Sequence, residues 1–398
     1  MSIRLKLKPQ SEICGDCGAS DPSWASLNRG ILLCSDCCSI HRSLGRHVSI
    51  IKSLRQGYWP LSQLNFIKIL AQSANNIWEH SLFDVSNNKI PKHKPTPKEP
   101  LHPNKADFIQ AKHCNLQFVL KPKIHYDGTL GGEVELSKQL HASVRSSNLE
   151  TSLRLLVQGG DPNYFYEEKQ STPLHVAAKF GQASQIELLI VYGANINVID
   201  GNGQTPIEVA KNNDHTVIAE RLIEAMYEVT DRIVTFLGDK KPDHISGKHL
   251  IIPERKNTEM SEHLKIARGK LQLVPNKMFE ELVMDLYDEV DRRENEAIWV
   301  TSSLNPDSGA VPFLPANPFL SATRNQGRQK LARFSPNQFF GLLTDVLIDA
   351  KRRQNMANLR PVDISPVRKL RPCGSVSNLS DDEPLYDDVA DDDYTAPF

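Results

Sequence analysis

Two stretches of the chain, sixty residues apart, carry the same order of apolar and polar positions. "FEELVMDLYDEVDRREN" at 279–295 aligns without gaps on "FFGLLTDVLIDAKRRQN" at 339–355. Apolar side chains at 279, 282, 283, 286 and 290 recur every three or four residues, the spacing of one helix face. The second copy repeats the stripe, and both share Asp285/Asp345, an arginine pair at 292–293/352–353 and Asn295/Asn355. The pattern predicts an antiparallel helical pair or bundle. Its apolar side, with Phe279, Leu282, Leu286, Phe339 and Leu342, either packs within that pair or takes a partner helix. Upstream runs a shorter period. "TPLHVAA" at 172–178 returns after 33 residues as "TPIEVA" at 205–210, and "GGDPN" at 159–163 has a counterpart in "GANIN" at 193–197. A threonine cap, a proline in the first helical turn and small alanines after it suit helix pairs that stack closely. "LSKQLHASVRSSNLETSLRLLVQGG", from Leu136, reads as a first copy without the Thr-Pro start. Two more helices are predicted, a short one after Cys37 ending at Gly45, and one over "ADFIQAKHCNLQFV" at 106–119.

Composition divides this pattern into domains. The 398 residues suggest two or three domains. Expected limits are 1–125, 132–236, 255–358 and a tail at 359–398. Between Lys89 and Lys105 lie five prolines and five lysines, an extended basic linker by composition. Another linker is expected at 238–262. Net charge is −1, yet 17 Lys/Arg face 8 Asp/Glu over residues 1–123, and residues 381–394 hold 8 acids and no base. The basic front favours anionic partners, an acidic membrane surface among them. The tail cannot bury a core and is expected to be disordered, with Tyr386 and Tyr394 as candidate phosphotyrosines. No apolar leader opens the chain, and "LLIVY" at 188–192 is far too short to span a bilayer, so a soluble cytoplasmic protein is expected. No G-x-x-x-x-G-K-[ST] loop occurs, so the chain is not expected to bind a nucleotide itself.

Chemistry enters with the cysteines. Cys14-x-x-Cys17 and Cys34-x-x-Cys37, sixteen residues apart, form two knuckles that together offer four thiolates. In a chain without a secretory leader, such spacing predicts one structural zinc ion, with no open position for activating water. Cys38 falls outside the pairs and is expected to be a buried or free thiol. Arg42 and Arg46, four residues apart, share one face of the helix that follows. They serve either as solvated surface charges or as groups that meet an anion.

Cys14, Cys17, Cys34, Cys37 and Arg42, with "DPSWASLNRGILLC" at 21–34 and "HRSLGRHVSIIKSL" at 41–54, resemble the Arf GTPase-activating proteins. The resemblance implies that Arg42 enters the active site of a bound Arf GTPase as an arginine finger. Trp24 and Ile40 then support the fold or face that partner, and Arg46 holds the GTPase surface or a phosphate. Many members have an acidic residue soon after the serine-leucine pair; here Arg55, Gln56 and Gly57 follow Ser53-Leu54, which bears on which Arf is preferred. The 33-residue period is similar to ankyrin repeats. The order of modules, with "SATRNQGRQKLARF" at 321–334, resembles the GIT family of Arf-activating scaffolds over about residues 1–358, the doubled motif matching its Spa2-homology domain. The implied fold is multidomain and mainly α. It comprises a small α+β zinc-finger ArfGAP domain packed with an ankyrin-repeat stack, then a helical repeat domain and a disordered acidic tail. Implied partners are an Arf-family GTPase, a PIX-type exchange factor for Rac and Cdc42, and focal adhesion kinase, with recruitment to membranes, endosomes or focal adhesions. The last forty residues hold no heptads, so neither coiled-coil dimerisation nor paxillin binding is expected of this chain, which reads as a short form. A pure adaptor with a structural zinc domain is the alternative. Nucleic-acid binding is not expected, because few aromatic residues lie near the knuckles.

Overall fold

The structure, a computed structural model, describes residues 12–82, 93–121, 131–238, 240–253, 262–302 and 309–359. The acidic tail, with Tyr386 and Tyr394, lies outside the described residues, as does the start of the basic linker. The chain divides into two compact units, one of residues up to Met226 together with Asn295–Val311, the other of Tyr227–Glu294 and the residues from Pro312.

In the first unit, strands β1 (Trp24–Ser26), β2 (Ile31–Leu33) and β3 (Ile51–Ser53) form a sheet in the order β2-β1-β3, with both pairings antiparallel. The β1–β2 turn needs Gly30, whose φ is +65° and whose missing Cβ leaves room for Leu70; an added carbon would lie 2.3 Å from Cδ2. Helix α1 (Ser35–Leu44) follows β2, and α2 (Leu61–Leu70) has Phe66, Ile67 and Leu70 fully buried. Beyond His102, whose backbone is extended (φ −117°, ψ 136°), a helical run over residues 103–114 closes this part. It starts earlier and ends earlier than the expected 106–119. Lys105 is therefore no linker residue: its buried ammonium donates to the Asp36 carboxylate at 2.8 Å and to the Pro97 carbonyl at 3.0 Å.

Three helix pairs come next: α3 (Gly131–Ser143) with α4 (Leu149–Val157), α5 (Pro173–Lys179) with α6 (Ala183–Val191), and α7 (Pro206–Asn212) with α8 (Thr216–Met226). Thr172 and Thr205 cap α5 and α7, and His175 and Glu208 return a bond to the cap backbone. The glycine-asparagine turns link neighbours, since Asn163 donates to the Gly193 carbonyl at 3.0 Å and accepts from Asn195 N–H at 2.7 Å. The stack shares one apolar core with the cysteine region. Tyr192 Oη donates to the Asn28 carbonyl at 3.0 Å, and Glu187 takes both Arg221 and the Ser62 hydroxyl.

The second unit holds α9 (Glu228–Phe236), α10 (Glu262–Leu273), most of α11 (Asn276–Ser302), α12 (Ala322–Lys330) and α13 (Pro336–Leu359). The last residues of α11, from Asn295, belong to the first unit. The sixty-residue repeat is built as an exchange. Arg293 of the first copy lies over the Phe339 ring of the second at 4.0 Å and donates to the Leu331 and Phe334 carbonyls. Arg353 lies over Phe279 at 4.2 Å and donates to the Leu271 and Val274 carbonyls. Asp285 takes Arg328 and Asp345 takes Arg268, again sixty residues apart. Phe279, Leu282, Leu286, Phe339 and Leu342 are all buried in this unit's own core. Their expected role as a partner-binding face is corrected accordingly: the apolar stripe is satisfied inside the repeat.

Candidate functional site

The two cysteine knuckles converge. Cys14 and Cys17 sit in a tight turn closed by the Cys14 N–H to the Ala19 carbonyl at 2.8 Å and by Gly18 N–H to the Cys14 carbonyl at 2.9 Å. Cys34 is the extended residue before α1, and Cys37 lies in its first turn. All four Sγ atoms lie within 4.8 Å of one another, with Cys17 and Cys34 3.6 Å apart. A tetrahedral zinc with Zn–S bonds of about 2.3 Å separates its sulfurs by about 3.8 Å, so this soft donor set fits that ion. Lys105 stands close enough for Cys17 and Cys37 to favour its charged form; burial opposes this, and Asp36 together with the thiolates raises its pKa. Cys38 is fully buried, and burial pushes its thiol up and out of reactivity.

Behind the knuckle lies a buried polar cluster. Asp16 accepts from Lys112 at 2.9 Å and from His113 Nε2 at 3.0 Å, and it pairs with His41 Nε2 at 2.9 Å. Burial alone would raise the Asp16 carboxyl, but Lys112 and His113 hold it well below the usual range. Burial keeps His113 neutral, well below its ordinary value. Lys112 also donates to Gly15, Asn75 and Glu79. Asp16, His41 and His113 present ligand-like atoms within 4.8 Å, but the Lys112 ammonium already occupies that carboxylate. This cluster braces the Cys14–Cys17 turn against the helical run of 103–114.

Arg42 stands on α1 one turn beyond Cys37 and Cys38, and it is only 8% exposed. Its guanidinium pairs with the Glu296 carboxylate, donates to the Gly309 carbonyl at 3.0 Å and lies 4.6 Å from the Trp299 ring centroid. Trp24 is buried beneath, 6.1 Å from Trp299 between centroids, and Ile40 is buried beside it. Arg46 is half-buried in the turn after α1. The residues read as a partner-facing set thus lie together, but Trp24, Ile40 and Arg42 are turned inward. Glu296, Trp299 and Gly309 were not legible in the sequence, since nothing local to α1 points to residues more than 250 positions away. Lys105, Lys112 and His113 were likewise missed, whereas the cysteine spacing carried its own signal.

Comparison with known proteins agrees with this layout. A family model described as "GTPase activating protein for Arf" matches residues 1–122. Ankyrin repeats match 140–233 in three copies, and the Spa2 homology domain of GIT matches 267–295 and 327–355, the two halves of the exchanged repeat. Among curated proteins, the ARF GTPase-activating protein Git of Drosophila melanogaster is 65% identical, over 99% of this chain and 58% of its own length. Human ARF GTPase-activating protein GIT1 is 50% identical over 97% of this chain and 51% of its own length, and mouse GIT2 is 48% identical over 99% and 56%. The chain spans about half the length of the curated relatives it matches.

Proposed function

The chain belongs to the GIT family over the length it spans, and from that premise we propose that it activates GTP hydrolysis by an Arf-family GTPase, with Arg42 entering the partner's active site. The observation that carries the reading is the position of Arg42 on the helix whose start bears Cys34 and Cys37. Cys14, Cys17, Cys34 and Cys37 would hold one zinc ion, which when bound supplies a fixed origin for that helix rather than reactivity. As the γ-phosphoryl group departs, negative charge spreads over oxygens that a planar, permanently charged guanidinium bonds two at a time. Trp24, Ile40 and Arg46 would frame the arginine on the Arf side. The repeat domain would take scaffold partners, a PIX-type exchange factor and focal adhesion kinase, through faces other than its buried stripe. The basic residues of the first domain would draw the protein from the cytoplasm to acidic membranes, where endosomes or focal adhesions are the expected stations. No helix among the described residues is long and apolar enough to cross a membrane.

Single-turnover hydrolysis of GTP by a myristoylated Arf on anionic vesicles tests the proposal. Arg42→Lys is expected to keep zinc and fold yet to lose about 10³-fold or more of the stimulation. A second reading, an adaptor without activation, draws on the burial of Arg42. Absence of stimulation by zinc-loaded protein, under conditions that expose the arginine, would favour it.

A further inference from the structure

We propose that the end of α11 and the backbone at 309–311 form an internal brake that holds Arg42 out of action; this rests on the activator reading above. All the residues concerned lie in the first unit. The Glu296 carboxylate takes one terminal nitrogen of Arg42, and the Gly309 carbonyl takes the other at 3.0 Å. Val311 N–H donates to the same Glu296 oxygen at 3.2 Å and fixes the carboxylate. Trp299 covers the flat face of the guanidinium at 4.6 Å and rests on Trp24. Gly309, at φ +89°, fits only without a side chain, since a Cβ would lie 2.6 Å from that of Ser39 and 3.2 Å from the Trp299 ring. The backbone therefore lies directly on α1.

The clamp offers the arginine what a phosphoryl group would offer. Glu296 supplies anionic oxygen, Gly309 supplies a second acceptor, and the indole face supplies a desolvated surface for the cation. The pair is largely screened from water, with the arginine side chain 4% and the glutamate 24% exposed, so freeing the arginine means parting a charge from its partner in a poorly solvated place. A guanidinium satisfied in this way cannot also reach a nucleotide bound to another protein. Trp299 and Gly309 cover Trp24 and Ser39 as well, so the same segment occupies the ground on which an Arf would rest. Activation then requires Glu296, Trp299 and the backbone at 309–311 to leave α1, and the apparent rate scales with the fraction of molecules in which they have left.

The brake and the activator reading fail differently. In the 398-residue chain, Glu296→Ala, and the milder Glu296→Gln if the first disturbs the fold, removes the anion without touching zinc, α1 or the arginine. Single-turnover stimulation of Arf at sub-saturating protein is expected to rise about tenfold or more, and a second change, Arg42→Lys, is expected to cancel the gain. In parallel, labelling by an arginine-specific dicarbonyl, followed on the Arg42 peptide, should be slow in the wild type and about tenfold faster in the variant. The exposed Arg55 serves as internal reference. Stimulation that is unchanged or lowered by Glu296→Ala overturns the brake and leaves the activator. Arg42 labelled in the wild type as fast as Arg55 overturns it too. No stimulation from any form, with Arg42 freed in the variant, overturns the activator reading and the brake with it.

Discussion

Lys112 shows how much one residue can carry in the first unit. Fully buried, it answers Asp16 and Glu79 together, and removing it would strand a buried carboxylate. Lys112→Met is expected to cost about 3–5 kcal/mol, the range for breaking a buried pair on one side, read from urea unfolding of zinc-loaded protein. His175 gives a pH signature. Thr172 N–H donates to its Nδ1 at 3.3 Å while its Nε2 bonds the Gln204 carbonyl at 3.0 Å, so the fold needs the neutral ring. Burial lowers the pKa of His175, and likewise that of His141. A base with a lowered folded pKa gives stability that is complete above the unfolded value of about 6.5 and is lost as pH falls below it. The midpoint of unfolding should therefore drop between pH 7.5 and 5.5, and His175→Gln should show a shallower slope. At this scale the sequence was informative wherever chemistry is local. Two Cys-x-x-Cys knuckles and an arginine five residues on can be recognised from spacing, and the four sulfurs do converge. The partners of Arg42 and Asp16 could not be read, because burying a charge requires an opposite charge brought by the fold from anywhere in the chain.

For whole elements, periodicity gave the helices and their apolar sides but not what covers those sides. The stripe of Phe279, Leu282 and Leu286 has the same form whether it faces a partner or the other copy, and only packing distinguishes the two. The arginine pairs decide it here. Arg293 and Arg353 close each phenylalanine from outside, with Glu289 and Asp349 holding them in place. A double-mutant cycle of Arg293→Ala with Phe339→Leu should give a coupling of about 1–2 kcal/mol, in the range of a desolvated cation over a ring. The symmetric cycle, Arg353→Ala with Phe279→Leu, should give a similar value. Two singles that simply add would show that the rings are held by area alone. The linker shows the opposite case: a run of Pro and Lys argued for extended chain, yet Lys105 was recruited into a helix because Asp36 and the thiolates needed a cation.

For the molecule, the cysteine region and the helix-pair stack share one apolar core, so loss of metal should spread. Chelation is expected to speed amide hydrogen exchange over 31–54 and in α6, while 282–290 and 342–347 keep their protection. Exchange that rises in the cysteine region and nowhere else would mean that the shared core holds without the ion. The reciprocal arrangement of the two repeat copies has a consequence for each copy taken by itself. One copy alone has a phenylalanine without its arginine lid, and an Arg268- or Arg328-type cation without its aspartate. A chain with a single copy meets both needs by pairing with a second molecule about a two-fold axis, each lending its arginine to the other. In the present chain the two copies meet both needs within one molecule, and they differ where the first carries Glu296 and Trp299: sixty residues on, the second carries Met356 and Leu359.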